Sequence, residues 1–169
     1  MRFPTALVPG VLIRRYQRFL ADIQLEHDDK VVAHCANTGS MLGVNRPGSR
    51  VWLSRSDNPR RKLAWTWELV EADSGYLVGI HTGRANGLVR EALEAGVVPE
   101  LAGFDTIRPE ARLSARSRTD LLLDFAGRPC FVEVKNLTAA VSAGEGFFQF
   151  GIRNGRQLAT QQVGLTAQG

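Results

Sequence analysis

The chain has 169 residues, enough for one ordinary domain or two small ones, and its 44% hydrophobic and 22% charged content is that of a globular protein. It contains no run of about 18 apolar residues to span a bilayer, and Pro4, Pro9 and Gly10 break the N-terminal apolar stretch before a signal-type core develops, which argues against membrane insertion and for a cytoplasmic protein. The net charge of +4 is unevenly spread: residues 1–63 hold eleven Lys/Arg against five Asp/Glu, residues 64–169 ten against twelve, and the N-terminal excess suggests a polyanion partner.

The first half reads as short strands separated by turns. Val11–Ile13, Phe19–Ile23, Val31–Cys35, Val51–Ser54, Trp65–Val70 and Tyr76–Ile80 are β-type runs, bounded by Pro9-Gly10, His27-Asp28-Asp29, Pro47-Gly48 and the hairpin-type turn Asp73-Ser74-Gly75. Strands at this spacing suggest a small closed barrel, for which an OB-type fold is the economical choice. The texture changes near Asn86. Leu88–Glu94 is helix-forming, with apolar residues at 88, 89, 92 and 93 and Gly96 as a stop signal. A loop through Pro99 and Pro109 follows, and then two strands, Arg118–Phe125 and Cys130–Lys135, joined by residues 126–129. The expected organisation is a β barrel plus an α/β part, an OB-like nucleic-acid-binding domain over 1–82 and a second domain over 83–169. Cys35 and Cys130 match no paired metal spacing and are expected as two buried thiols.

The second pair of strands carries the chemistry. Successive side chains of a strand point to opposite faces, so Glu133 and Lys135 share one face while Val132 and Val134 share the other. A hairpin closing over 126–129 brings Asp120 across from about position 135. An Asp followed on the next strand by Glu-x-Lys is the layout of the PD-(D/E)XK nucleases, in which carboxylates hold magnesium and the lysine orients water and stabilises phosphorane charge. Here Thr119 stands where a proline usually precedes the aspartate. Glu91, on the preceding helix, is the candidate third acid, with Glu94 a competing choice. The candidate catalytic set is thus Asp120, Glu133, Lys135 and Glu91, the metal ligands Asp120, Glu133 and Glu91, and the cofactor Mg²⁺ or Mn²⁺. The alternative reading of the same charges is a solvated edge strand.

A basic and aromatic mixture marks the first domain. Arg14, Arg15, Arg18, Arg60, Arg61 and Lys62, interleaved with Tyr16, Phe19, Trp65 and Trp67, are residue types that bind single strands, cations tracking phosphate while aromatics stack on bases. Alternatively the aromatics fill the barrel core and the cations are solvated. His34-Cys35-Ala36-Asn37-Thr38-Gly39 could present a Cys/His nucleophile, but a string ending in Asn-Thr-Gly is better read as a turn that caps a strand or offers backbone N–H groups to phosphate.

Several of these blocks, in order, resemble one family. Arg15–Asp22, His34–Met41, Ser56–Lys62, Thr66–Leu69, Asn86–Glu91, Ser117–Asp120 and Glu133–Asn136 look like successive signature blocks of the sugar fermentation stimulation proteins. The resemblance covers about residues 5–140 and implies an N-terminal OB-fold domain, a C-terminal nuclease-like domain, largely non-specific binding of single- or double-stranded DNA, and a regulatory link to maltose metabolism. After about Val141 the family pattern is lost, and Phe148–Arg156 leads into a polar tail; a frameshift or a shortened gene would account for this. The nuclease-like domain is therefore expected to be partial, with Leu121, Leu123, Phe131 and Val132 losing their cover. The leading functional expectation is a DNA-binding protein with a nuclease-derived second domain. The alternatives are a magnesium-dependent DNA phosphodiesterase and a regulatory module without catalysis.

Overall fold

A computed structural model of the chain describes residues 3, 5–26, 29–72, 75, 77–112, 114, 117–136, 147–154 and 157–164. His27-Asp28 and Asp73-Ser74 of the expected turns, Tyr76, and residues 137–146, where the resemblance was placed to end, lie outside the described residues. Contacts divide the chain into two compact units, one built mainly from residues 2–82 and the other from 83–137 and 147–163.

The first unit is a barrel. Strands β1 (Val8–Tyr16), β2 (Leu20–Leu25) and β3 (Lys30–Cys35) form an antiparallel meander. Strand β4 (Arg50–Arg55) pairs antiparallel with both β1 and β5 (Trp65–Glu71). A parallel pairing of β3 with β5, Ala33 opposite Trp65 through Cys35 opposite Trp67, closes the ring, and the short β6 (Leu77–Gly79) adds beside β5. This is the OB-type topology that the strand spacing predicts. Alternation drives it: Leu12, Ile23, Val51, Leu53, Trp67 and Val70 point inward and are at most 1% exposed, and burying each such side chain stabilises the fold by about 1.5–3 kcal/mol. Trp67 is therefore a core residue, in line with the reading in which the aromatics fill the barrel; its indole N–H donates to the Leu69 carbonyl at 2.9 Å.

In the second unit, helix α1 (Ala85–Glu94) covers one face of an antiparallel sheet. The sheet order is β11 (Gln157–Gly164), β10 (Phe147–Asn154), β9 (Arg128–Asn136), β8 (Leu121–Phe125), β7 (Thr106–Pro109). The helix ends as Gly96 predicts. Gly96 takes φ +68°, its N–H reaches the Leu93 carbonyl and the Val97 N–H reaches that of Ala92, a Schellman arrangement that only an achiral residue enters without cost. Two features differ from expectation. The loop through Pro109 contains β7, whose four residues were too few to show a period, and Pro109, which has no N–H, suits its place in an edge strand. The segment after residue 146 supplies β10, which pairs with β9 from Phe148 opposite Asn136 to Arg153 opposite Phe131. Nor do Leu121, Leu123 and Val132 lose their cover: all are at most 1% exposed, packed with Ala85, Val89 and Leu93 of α1. Phe131 is half-buried.

Gly10 on β1 is a steric hinge-point of the barrel. A Cβ there would stand 2.7 Å from Ile23 Cγ2 and 2.9 Å from the Gln24 carbonyl oxygen, so the close approach of β1 to β2 requires glycine. Gly10→Ala is expected to destabilise the barrel by about 1–3 kcal/mol, the usual cost of overpacking. Urea unfolding followed by tryptophan fluorescence measures it; a midpoint equal to that of the native chain would show that the strands separate freely.

Candidate functional site

The carboxylate site starts from a turn. Ala126 and Gly127, at φ +52° and +80°, form a two-residue hairpin of the primed type, and β9 starts at Arg128 rather than after Pro129. The register is therefore tighter than a 126–129 loop would give. Leu121 pairs with Val132 and Phe125 with Arg128, which puts Asp120 level with Glu133 and not with Lys135. The turn is held by the Gly127 N–H on Asp124 Oδ1 at 2.8 Å and the Ala126 N–H on Asp105 Oδ2 at 2.5 Å.

At the other end of the hairpin stands Thr119, where the nuclease layout usually has a proline. It is buried, and its hydroxyl lies 2.9 Å from the Val132 carbonyl and 3.1 Å from that of Leu121, tying the start of β8 to β9. Both Asp120 oxygens are then occupied by donors: Oδ2 accepts the Val134 backbone N–H at 2.8 Å, and Oδ1 accepts the side-chain amide of Asn86 at 3.1 Å. Two N–H donors hold the carboxylate in one orientation. Glu133 and Lys135 share the face opposite Cys130, Val132 and Val134, and Lys135 Nζ donates to Glu133 Oε1 at 2.5 Å. The Lys135 ammonium is held above the usual lysine range, first by that hydrogen bond and then by the charges of Glu133 and Asp120. Asp120, Glu133 and Lys135 are thus brought to one end of the sheet.

Glu91 is not brought to them. The buried stripe of α1 is Ala85, Val89 and Leu93; at 100° per residue Glu91 falls about 160° from the centre of that stripe, on the exposed side. Among the described residues no group of three or more His, Cys, Asp or Glu side chains lies close enough to hold a metal ion. The residue that α1 does present to Asp120 is Asn86, in its first turn. Sequence reasoning passed over it because a neutral amide carries no metal-ligand signal; only its place at the helix start could have pointed to it.

On the barrel, the six candidate cations separate into different roles. Arg15 is a clamp: the two N–H groups of one terminal nitrogen are shared among the carbonyls of Arg18 (2.7 Å), Asn37 (2.8 Å) and Gly39 (3.0 Å), joining the Gln17–Phe19 turn to the segment after β3. Asn37, whose side chain accepts the Gly39 N–H at 2.9 Å, shapes that segment, so the Asn-Thr-Gly string is a turn as expected. Cys35 is fully buried beside Met41, out of reach of a substrate. Arg14 pairs with Asp22 at 2.7 Å and lies over the Tyr16 ring; Asp22 raises the pKa of both, first through side-chain hydrogen bonds. Arg18 is exposed at the turn, beside the exposed Phe19. Arg60, Arg61 and Lys62 project from the β4–β5 connection, where Asn58 accepts the N–H groups of Arg60 on its side chain and Arg61 on its carbonyl, and Arg61 reaches Thr66 Oγ1 at 3.1 Å. Because β1 runs antiparallel to β4, this connection lies at the end where β1 begins, and Arg14, Arg15 and Arg18 lie at the end where it finishes. From Val8 to Arg14, β1 rises about 20 Å.

A family model for the SfsA N-terminal OB domain matches residues 13–80, and one for the sugar fermentation stimulation protein RE domain matches residues 83–148. The sugar fermentation stimulation protein homologue of Geotalea uraniireducens is 51% identical over 169 residues, covering 100% of this chain and 73% of that one. The chain belongs to the sugar fermentation stimulation protein family. The homologues of Alkalilimnicola ehrlichii (59% identical, 88% of this chain) and Geobacter metallireducens (62%, 82% of this chain) are also similar, and the chain spans 64% and 60% of their lengths. Among solved structures, Pyrococcus furiosus SfsA in complex with Ca²⁺ shares the fold, with a TM-score of 0.64 at 24% identity over 76% of this chain and 53% of that one. The resemblance read from the ordered blocks is therefore family membership, and the OB barrel it implies is the one observed.

Within this family member, the clamp and the pair around Asp22 respond differently to mutation. Arg15→Gln removes the donor from one part-buried and two exposed carbonyls and is expected to cost about 1–3 kcal/mol, whereas Arg14→Gln removes one exposed ion pair and is expected to cost less than about 1 kcal/mol. Thermal unfolding of the two variants tests the ranking; equal losses would remove the distinction between clamp and surface pair. The Cys130 thiol, pushed above its ordinary pKa by burial, is expected to react with a disulfide reagent only after unfolding; rapid native-state labelling would contradict its burial.

Proposed function

We propose that this protein binds DNA largely without sequence preference through its barrel, and that its second unit carries a divalent-cation site, inherited from a nuclease, at Asp120, Glu133 and Lys135. The observation that carries the reading is the Asp120 carboxylate, held by two N–H donors level with Glu133 and within electrostatic reach of Lys135. The fold supports it, and so does the Ca²⁺ complex of the Pyrococcus furiosus protein, a hard cation that takes oxygen ligands as Mg²⁺ and Mn²⁺ do.

Asp120 and Glu133 would hold Mg²⁺ or Mn²⁺. The ion, when bound, lowers the pKa of a coordinated water and neutralises charge on a phosphate oxygen. The chain's own residues do the rest. Asn86 and the Val134 N–H fix which Asp120 lone pairs remain for coordination. Lys135, which donates to Glu133 Oε1, would offer its ammonium to a phosphate oxygen held beside Asp120 and Glu133. Hydrolysis as the principal function, an alternative favoured by the Glu-x-Lys pair, asks for more carboxylate than these two supply, so slow or absent turnover is expected.

The barrel reading rests on charge: an excess of six cations in residues 1–63, with Arg18, Arg60 and Lys62 exposed. With the two groups at opposite ends of β1, a bound strand would run along the barrel wall rather than cross a single patch.

Isothermal titration with Mn²⁺ is expected to show at least about tenfold weaker binding for Asp120→Asn and Glu133→Gln, a smaller loss for Asn86→Ala, and no change for Glu91→Gln. Equal affinity in all four variants would reject the site. Cleavage of DNA by the native chain, abolished by EDTA, would establish the phosphodiesterase instead. DNA affinity is expected to fall linearly on a log–log plot against salt, with Arg60→Glu plus Lys62→Glu reducing the slope by about 0.9 per lost duplex phosphate contact; an unchanged slope would take this loop out of the interface.

A further inference from the structure

The barrel surface carries an open polar depression of about 440 Å³, lined by Arg46, Pro47, Gly48, Ser49, Arg50 and Glu71 among others. That volume lies within the roughly 300–1,000 Å³ of small-ligand pockets. Its floor is a pre-set turn. Pro47 and Gly48 occupy the central positions between Arg46 and Ser49, Gly48 takes φ +88°, and the Ser49 N–H returns to the Arg46 carbonyl at 3.2 Å, which is the type II pattern. The Gly48 N–H donates to the Leu12 carbonyl at 2.7 Å and so pins the turn to β1. Arg46 and Arg50 stand on either side of a rigid element rather than on a floppy loop.

Arg50 is further fixed by Trp52, its guanidinium lying over the indole at 5.1 Å from the ring centroid. An aromatic face steadies the cation without using any of its N–H donors. Two cations therefore face one depression in which Glu71 is the single carboxylate among the described lining residues. Val51 pairs with Val70, so Glu71 follows on β5 level with Arg50 and offers an acceptor beside the donors. Two arginines ask for a dianionic or monoanionic phosphate, and the neighbouring carboxylate asks for a ligand that also donates, as a sugar hydroxyl or a base amine does.

We propose that this depression binds a nucleoside phosphate unit, Arg46 and Arg50 taking the phosphate and Glu71 accepting from the organic part. The unit could come as a free mononucleotide or as part of a single strand, and both present the same chemistry. The site does not rest on the Arg18, Arg60 and Lys62 reading, because it uses none of those residues.

The full chain is titrated with inorganic phosphate, adenosine 5′-monophosphate and an octamer of deoxyadenylate, by calorimetry. Arg46→Gln and Arg50→Gln are each expected to weaken all three by about tenfold, the effect of losing one charge-assisted contact. Glu71→Gln is expected to weaken the two nucleotides while leaving inorganic phosphate bound as well or better. Trp52→Leu is expected to mimic Arg50→Gln, and Trp52→Phe, which keeps a ring under the guanidinium, to restore most of the binding. Native-like melting of each variant keeps the comparison valid. Arg60→Glu plus Lys62→Glu lowers octamer affinity through the other interface but leaves the mononucleotide unchanged, so failure of one reading is visible apart from the other. Mononucleotide binding without octamer binding assigns the free nucleotide, and comparable binding of both assigns the strand. No phosphate or nucleotide binding by the native chain, or affinities within twofold of it in both arginine variants, overturns the site.

Discussion

The turn at Ala126 and Gly127 sets the register of β8 on β9, and the carboxylate site depends on that register. Side chains in a strand alternate with period two, so a slip of one residue would carry Glu133 and Lys135 to the face packed by α1 and would expose Cys130, Val132 and Val134. A two-residue loop with both central residues at positive φ matches the right-handed twist of the strands, and the Asp124 and Asp105 carboxylates complete it by accepting the two turn N–H groups. From there the constraint propagates to the far end of the hairpin: Thr119 joins the strands at Val132, and Asp120 takes the Val134 N–H. The acid and the Glu-x-Lys pair meet because the hairpin is stiff, not because they attract one another. Two carboxylates at one end of a sheet repel, and Lys135 offsets part of that repulsion.

The barrel shows how one residue type serves unrelated ends. Arg15 gives one terminal nitrogen to three carbonyls, Arg61 reaches back to Thr66, and Arg14, Arg50 and Arg55 lie over Tyr16, Trp52 and Trp65. A count of positive charge treats all of these alike. In the folded protein a cation committed to carbonyls is part of the framework, while an aromatic ring orients a cation without using its donors, which leaves Arg14 free to pair with Asp22 as well. The same distinction applies to the aromatics. Trp67 is core, whereas Trp52 and Trp65 are half-buried under arginines.

Much of this was legible in the sequence, because the signals are local. Alternation located β1 to β5, β8 and β9; Gly96 marked the end of α1; Pro47-Gly48 marked a turn; and the period of a strand placed Glu133 and Lys135 on one face. The ordered blocks identified the family and with it the barrel. β7 escaped because four residues ending in proline carry no readable period, and the register at Asp120 was misplaced by two residues because turn length cannot be read without the dihedral angles at Ala126 and Gly127.

By itself, then, the sequence determined the elements, their faces and the Glu-x-Lys pair, since each follows from the geometry of a few adjacent residues. Only the tertiary structure decided that Asn86 rather than Glu91 faces Asp120, that Arg15 is a clamp, and that the basic residues lie at opposite ends of β1. These are matters of which distant segments pair and at what offset. That offset is fixed by backbone hydrogen bonds between strands and by the packing of α1 on its sheet, neither of which leaves a mark on any one stretch of residues.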